Sequence, residues 1–248
     1  MVTIKSRAEI EKMRVAGKIT GDALREIEKH IKPGISTLEL DRIAFDFIKK
    51  QGATPSFLHY NGFPGSICAS PNSWVVHGIP SKNIVLKEGD IISIDMGAQK
   101  DGYHGDAART YAVGKISEEA QRLIDVTKQS FFEGIKYATH GAKIGDIASS
   151  IQEYVEKNGF SVVRDLVGHG IGKNLHEDPN VPNFGHRGRG LRLAAGMTVA
   201  VEPMVNAGGY EVVQLDDDWT VETEDGSLSA HYENTILITK GECEILTL

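Results

Sequence analysis

Five residues carry side chains that could together hold metal ions. Two of them, Asp95 and Asp106, lie in segment 89–110, which reads as two strands joined by a turn at Asp101-Gly102. Two carboxylates brought together in a buried place share either a proton or a cation, because burying an unbalanced charge is unfavourable. This segment alone leaves a plainer alternative, in which Asp106 caps a turn and Asp95 pairs with Arg109. The full candidate set is Asp95, Asp106, His169, Glu202 and Glu233.

These residue types predict hydrolytic chemistry if they converge. Four carboxylates gathered around one imidazole would repel one another without cations, and two divalent ions would balance the four negative charges. Hard oxygen ligands with one nitrogen suit Mn²⁺, Fe²⁺, Co²⁺ or Zn²⁺. Two such ions, roughly 3.5–4 Å apart, lower the pKa of a bridging water, supply hydroxide near neutral pH and polarise a carbonyl group.

The nine histidines divide into three groups. His169 is predicted to be a ligand, because the glycines on either side of it let the backbone approach closely. His77 and His176 are not needed as ligands, and we expect them to hydrogen-bond the substrate or the tetrahedral intermediate. The remaining histidines are predicted to face solvent: His30, His59, His104, His140, His186 and His231.

Capping patterns and apolar spacing predict four helices around these residues. Ser6-Arg-Ala-Glu9 and Ser36-Thr-Leu-Glu39 are capping boxes, and each precedes residues with helical apolar spacing. The glycine-, proline- and aromatic-rich residues 54–73 are predicted to form a loop that can line a pocket. The predicted helices span 6–30, 36–50, 117–139 and 145–157, and further strands are predicted at 74–76, 161–167, 197–202 and 228–239.

An internal repeat relates the two parts of the chain. Segment 34–52, which follows Pro33, matches segment 141–159, and segment 86–95 matches segment 193–202, both at the same offset along the sequence. Two matches at one offset predict two related halves, roughly 1–113 and 114–248, within a single domain. Each half would pack helices against an antiparallel sheet, which is an α+β fold. A two-fold-like closure would place the repeat partners Asp95 and Glu202 face to face.

The composition is that of an ordinary globular protein of 248 residues, and it excludes several classes. The net charge is −7 and no basic block occurs, so a nucleic-acid surface is not indicated. Two cysteines cannot build a disulfide framework. Neither a signal-peptide pattern nor an apolar run of membrane-spanning length is present. We therefore expect a cytoplasmic protein that does not bind membranes.

With these residues assembled, the sequence resembles the type I methionine aminopeptidases. That family has the pita-bread fold, which it shares with prolidases, aminopeptidase P and creatinase. The resemblance covers essentially the whole chain. It rests on HGIP at 77–80, ID and HGDAART within 94–110, GHGIG and HEDP within 168–179, VEPM at 201–204, and the Ser-Ala-x-Tyr-Glu-x-Thr segment at 229–235.

The resemblance implies a role for each residue of the site. Asp95 would hold one metal ion, Asp106 and Glu233 would bridge two ions, and His169 and Glu202 would complete the second site. Glu202 would also move the proton of the bridging water. His77 would contact the scissile amide nitrogen, and His176 the carbonyl oxygen. The methionine pocket would be lined by Phe57, Tyr60, Phe63, Cys68, Leu175 and Trp219.

The activity that the resemblance implies is removal of the initiator methionine from nascent polypeptides, with a preference for small residues after it. The enzyme would need two divalent ions (Co, Mn, Fe or Zn) and would act as a cytoplasmic monomer near the ribosome. One alternative is a pita-bread peptidase that cleaves before proline. Another is a binding protein of the same fold without catalysis, although such relatives lose ligands and this chain has the full set.

Overall fold

Two pairs of helices cover the sheets of the computed structural model, which describes residues 2–248. Both predicted capping boxes form: the side chains of Ser6 and Ser36 accept from the backbones of Glu9 and Glu39, whose carboxylates accept in return. These contacts satisfy amide groups that have no partner inside the helix. The helices are α1 (Arg7–Glu28), α2 (Thr37–Lys50), α3 (Glu118–Ile135) and α4 (Ile144–Lys157).

Four strands of the first half form an antiparallel sheet in which β4 pairs with β1, β2 and β5. In the second half a five-stranded sheet has the order β15-β14-β9-β7-β8, and a three-stranded sheet has the order β13-β10-β6. A further three-stranded sheet, β11-β12-β3, joins β3 of the first half to two strands of the second half. The strands are β1 (Thr54–Pro55), β2 (Ile67–Pro71), β3 (Trp74–Val76), β4 (Ile91–Lys100), β5 (Tyr103–Ala112), β6 (Ser161–Val162), β7 (Gly168–Gly170), β8 (Glu177–Val181), β9 (Thr198–Val201), β10 (Met204–Asn206), β11 (Val212–Gln214), β12 (Val221–Thr223), β13 (Ser229–His231), β14 (Asn234–Leu237) and β15 (Glu244–Ile245).

The repeat seen in the sequence recurs in the elements. Helix α4 begins and ends at the repeat equivalents of the first and last residues of α2, and β9 begins at the repeat equivalent of the first residue of β4. Separate apolar cores support the two halves. One lies between α1, α2 and the β4 sheet, and the other lies between α3, α4 and the β9 sheet. The predicted α+β, pita-bread architecture is confirmed.

Several predicted boundaries were wrong, because the chain changes partners where the sequence carries no signal. Segment 161–167 contains only the short strand β6, and the next strand, β7, belongs to a different sheet. Segment 228–239 was predicted as one strand, but it is divided between two sheets as β13 and β14. Helix α3 ends before the predicted Thr139, which instead forms a bridge with Thr239.

The predicted loop at residues 54–73 contains a buried strand. This strand, β2, pairs with β4 along its whole length. Four of its five residues are buried, so its sequence shows no alternation of apolar and polar side chains. The segment therefore contributes to the sheet as well as to the wall of a pocket.

The two halves meet where β5 runs beside the segment from β13 to β14. The amide of Asp106 donates to Thr235 Oγ1 at 3.0 Å, and the hydroxyl of Thr235 donates to the Asp106 carbonyl at 3.0 Å. Two residues further along, the amide of Glu233 donates to the carbonyl of Ala108 at 3.0 Å. This pairing brings acidic residues of different halves side by side.

Arg109 strengthens the same junction. Its guanidinium donates to the carbonyl oxygens of Ala108 and Glu233 and to Asn234 Oδ1, and the donor–acceptor distance to Asn234 is 2.7 Å. The alternative in which Arg109 pairs with Asp95 is therefore wrong. The alternative in which Asp106 caps a turn is also wrong, because that residue lies within β5.

Within residues 2–248, none of the helices combines the length and the apolar character needed to cross a membrane.

Candidate metal centre

The five candidate ligands come from both halves and converge on one cleft of about 400 Å³. Asp95 on β4 and Asp106 on β5 are diagonal neighbours on one face of the hairpin, because Asp95 pairs with Ala108 and Asp106 with Gly97. The others come from the second half: His169 lies on β7, Glu202 directly follows β9, and Glu233 lies between β13 and β14.

His169 is oriented toward two carboxylates. Its Nδ1 lies 2.9 Å from the carbonyl oxygen of Gly170, which can only accept, so Nδ1 carries the proton. The lone pair of Nε2 then points at Asp106 Oδ2 and Glu202 Oε1, each 3.7 Å away. These distances are too long for hydrogen bonds but suit atoms that share a cation. Ligand atoms of Asp106, His169 and Glu233 all lie within 4.8 Å of one another.

Without a cation, the acidic side chains have raised pKa values and buried oxygens that lack hydrogen-bond donors within residues 2–248. Burial raises the pKa of Asp95 to about 7. Burial, followed by the neighbouring carboxylates, also raises the pKa of Asp106, Glu202 and Glu233 well above the usual range. Three buried oxygens, Asp95 Oδ1, Asp106 Oδ1 and Glu233 Oε1, have no hydrogen-bond partner among the described residues. Buried acceptors without donors and mutually repelling carboxylates are what a site for divalent cations requires.

The glycines around His169 are required by close backbone packing. A Cβ at Gly168 would overlap the carbonyl oxygen of Ala200, and a Cβ at Gly170 would overlap that of Asp178. Neighbouring backbones therefore pass directly over β7, as the flanking glycines predicted. This packing fixes the strand that carries the imidazole.

The two other predicted site histidines line the same cleft. His77 has a φ of 60°, a left-handed conformation that is unfavourable for a residue with a Cβ and that clusters at functional sites. Burial lowers the pKa of His77 to about 4. The ring of His176 lies against that of His169, with centroids 4.1 Å apart and the planes tilted by 49°, and its Nδ1 lies 2.9 Å from the hydroxyl of Tyr60.

An apolar pocket adjoins the acidic cluster. Phe63 and Trp219 meet edge to face, with centroids 5.1 Å apart, and Cys68 lies opposite Asp95 in the β2–β4 register. Asn61 also lines the cleft and was missed, because a lone asparagine in a loop carries no sequence signal. All the other pocket residues were among those named from sequence: Phe57, Tyr60, Phe63, Cys68, Leu175 and Trp219.

Two histidines that were predicted to face solvent are buried instead. His104 lies between Ser56 Oγ, 2.8 Å from its Nδ1, and Gln99 Nε2, 3.1 Å from its Nε2. His231 is 1% exposed and lies beside the carboxylates of Glu202 and Glu233. One usable signal existed for each: His104 lies two residues before Asp106 and His231 two before Glu233, so each shares a strand face with a candidate ligand.

Comparisons with known proteins agree with this arrangement. The family model described as metallopeptidase family M24 matches residues 11–240. A methionine aminopeptidase of Clostridium acetobutylicum is 60% identical, covering 100% of this chain and 99% of its own. Methionine aminopeptidase 1 of Bacillus subtilis is 54% identical, with coverages of 100% and 99%. The crystal structure of methionine aminopeptidase from Rickettsia prowazekii superimposes with a TM-score of 0.98 at 46% identity and covers 100% of both chains. The chain therefore belongs to metallopeptidase family M24.

Proposed function

We propose that this protein is a metal-dependent aminopeptidase that hydrolyses the peptide bond after an N-terminal methionine. One observation carries the proposal: the acidic cluster, both site histidines and the apolar pocket line a single cleft. The relatives named above, which match over the full chain, support the same activity. A binding protein without catalysis would not need to retain a cluster of largely buried carboxylates that repel one another.

The proposed centre holds two divalent ions. Asp95, Asp106 and Glu233 would hold one ion, and Asp106, His169, Glu202 and Glu233 the other, so that Asp106 and Glu233 are shared. Oxygen ligands with at least one nitrogen fit Co²⁺, Mn²⁺, Fe²⁺ or Zn²⁺. When bound, such ions acidify a water molecule and polarise the scissile carbonyl group.

Glu202 would be the proton carrier. It directly follows β9, its side chain is less completely buried than those of Asp106 and Glu233, and it faces His169. In the proposed reaction the Glu202 carboxylate takes a proton from the attacking water as the oxygen bonds to the carbonyl carbon. It then gives this proton to the leaving amine as the C–N bond breaks.

The two histidines would bind different sides of the reacting amide. Burial lowers the pKa of both imidazoles, so both are neutral near pH 7 and can donate one N–H. If the Tyr60 hydroxyl donates to Nδ1 of His176, the His176 proton resides on Nε2. This N–H would then donate to the carbonyl oxygen, where negative charge develops in the transition state. His77 would contact the amide nitrogen side.

The apolar pocket suits the side chain of methionine. Its walls combine aromatic rings with Cys68 and Leu175, and thioether sulfur makes favourable contacts with aromatic edges. An unbranched, flexible side chain can fill a pocket of this kind with little rearrangement.

A competition between short peptides tests the proposed activity. We expect the metal-loaded protein to release methionine from Met-Ala-Ser much faster than the first residue from Leu-Ala-Ser or Ala-Pro-Ser, measured by mass spectrometry. Acetyl-Met-Ala-Ser, which lacks the free amine, serves as the matched control and should stay intact. Faster cleavage of Ala-Pro-Ser would instead support the proline-directed alternative.

The domain organisation, oligomeric state, cellular location and substrate preference of the protein are also part of the proposed function. We infer a single catalytic domain over residues 1–248 that works as a monomer in the cytoplasm, on chains emerging from the ribosome, with small residues preferred after methionine. The family resemblance supports each of these statements. Comparing Met-Ala-Ser with Met-Leu-Ser tests the preference, and sedimentation with and without ribosomes tests the setting.

A further inference from the structure

The imidazole of His231 is buried beside the acidic cluster without a partner for either nitrogen. The residue is 1% exposed, and Nδ1 and Nε2 both lack a hydrogen-bond partner among the described residues. Its backbone, in contrast, is held firmly, because its amide donates to Thr110 Oγ1 at 2.8 Å and its carbonyl accepts from the same hydroxyl at 2.9 Å. Burying an imidazole without satisfying its nitrogens is unfavourable, so a group with this placement calls for an explanation.

The His231 side chain points toward the metal centre. His231 is the last residue of β13 and lies opposite Met204 in the β10–β13 register, just before the chain passes through Glu233 to β14. Its Nε2 lies 3.9 Å from Glu202 Oε2 and 3.8 Å from Glu233 Oε2. Ligand atoms of these three residues all lie within 4.8 Å of one another.

These distances match those around His169. His169 Nε2 lies 3.7 Å from one oxygen of Asp106 and 3.7 Å from Glu202 Oε1. Two donor atoms that bind the same ion, each at about 2.1 Å, lie roughly 3.0–4.2 Å apart, depending on the angle between the two bonds. Distances of 3.8 and 3.9 Å fall in this range and exceed the length of a hydrogen bond. The two oxygens of Glu202 thus face two different imidazoles.

We propose that His231 is an additional nitrogen ligand of the metal centre, sharing a cation with Glu202 and Glu233. The inference rests on the metal centre proposed above and extends its ligand set from five residues to six. A second imidazole makes the ligand set softer, which favours Zn²⁺ and Co²⁺ over Mn²⁺. His231 is then a determinant of which metal this protein retains.

Proton NMR of the Co²⁺-loaded protein counts the ligating histidines directly. With histidine labelled by ¹⁵N, each imidazole bound to Co²⁺ gives an N–H signal shifted far outside the diamagnetic range. We expect two such signals, from His169 and His231. One signal alone would overturn the role of His231 while leaving the metal centre intact. The absence of any shifted signal would contradict the metal centre itself, and the proposal for His231 with it.

The variant His231→Gln assigns the second signal. It keeps a polar side chain of similar size but removes the imidazole, so one of the two shifted signals should disappear. The ratio of Zn²⁺ affinity to Mn²⁺ affinity, measured by equilibrium dialysis, should fall by about tenfold. The matched control is His140→Gln at an exposed position, which should retain both signals and the ratio. Two signals persisting in His231→Gln, or an unchanged ratio, would show that His231 is not a ligand.

Discussion

The variant Glu202→Gln should lower kcat on Met-Ala-Ser by about 10²–10⁴-fold while the protein remains folded, because an amide cannot accept the proton of the attacking water. The Glu202 carboxylate is largely buried and faces His169, so solvent is poorly placed to replace it as the base. The amide oxygen of glutamine can still bind a cation, although more weakly. Rates are therefore to be measured with excess metal, and bound metal is to be determined in the same samples.

Glu242→Gln is the matched control for this change. It makes the same substitution at an exposed position and should leave kcat unaltered. If Glu202→Gln with full metal occupancy turned over at the wild-type rate, proton transfer would have to be assigned to another group.

Asp106→Ala should abolish stable metal binding, because it removes a carboxylate that both ions share in the proposed centre. Metal retained after gel filtration, measured by elemental analysis, should fall well below the wild-type content.

In the metal-free state, the isosteric variant Asp106→Asn should be more stable than the wild-type protein. That change relieves repulsion among buried carboxylates, so its Tm should exceed that of metal-free wild type.

Asp125→Ala, at an exposed position on α3, serves as the control for the loss of a carboxylate. It should keep its metal and its metal-free Tm close to wild type. Full metal occupancy in Asp106→Ala would contradict the shared-ligand assignment. If the metal-free Asp106→Asn variant had a lower Tm than metal-free wild type, repulsion among the carboxylates would not be what destabilises the metal-free protein.

The features best predicted from sequence are those that depend on local pattern or on repetition. The repeat linked Asp95 to Glu202, and the structure places both on the same cleft. Capping boxes predicted the starts of α1 and α2, since those contacts lie within the first turn of each helix. His169 stood out because glycines flank it, and those glycines allow other backbones to pass close to β7.

Features that depend on distant partners could not be predicted in the same way. Whether His104 and His231 face solvent depends on which elements cover their strands, and neither strand shows a clear alternation. The break between β13 and β14 has a similar origin, because the chain leaves one sheet for another at Glu233. The sequence allowed Arg109 to pair with Asp95. Its observed partners in the second half are Glu233 and Asn234, which lie far along the chain.

Chelation followed by reconstitution tests the metal mechanism most directly. Methionine release from Met-Ala-Ser would be measured anaerobically on protein stripped of metal, and again after adding Co²⁺, Mn²⁺, Fe²⁺ or Zn²⁺ singly. We expect the stripped protein to show only the background rate and at least one ion to restore release. Release that continues at an undiminished rate from protein shown by elemental analysis to contain no metal would contradict the metal mechanism.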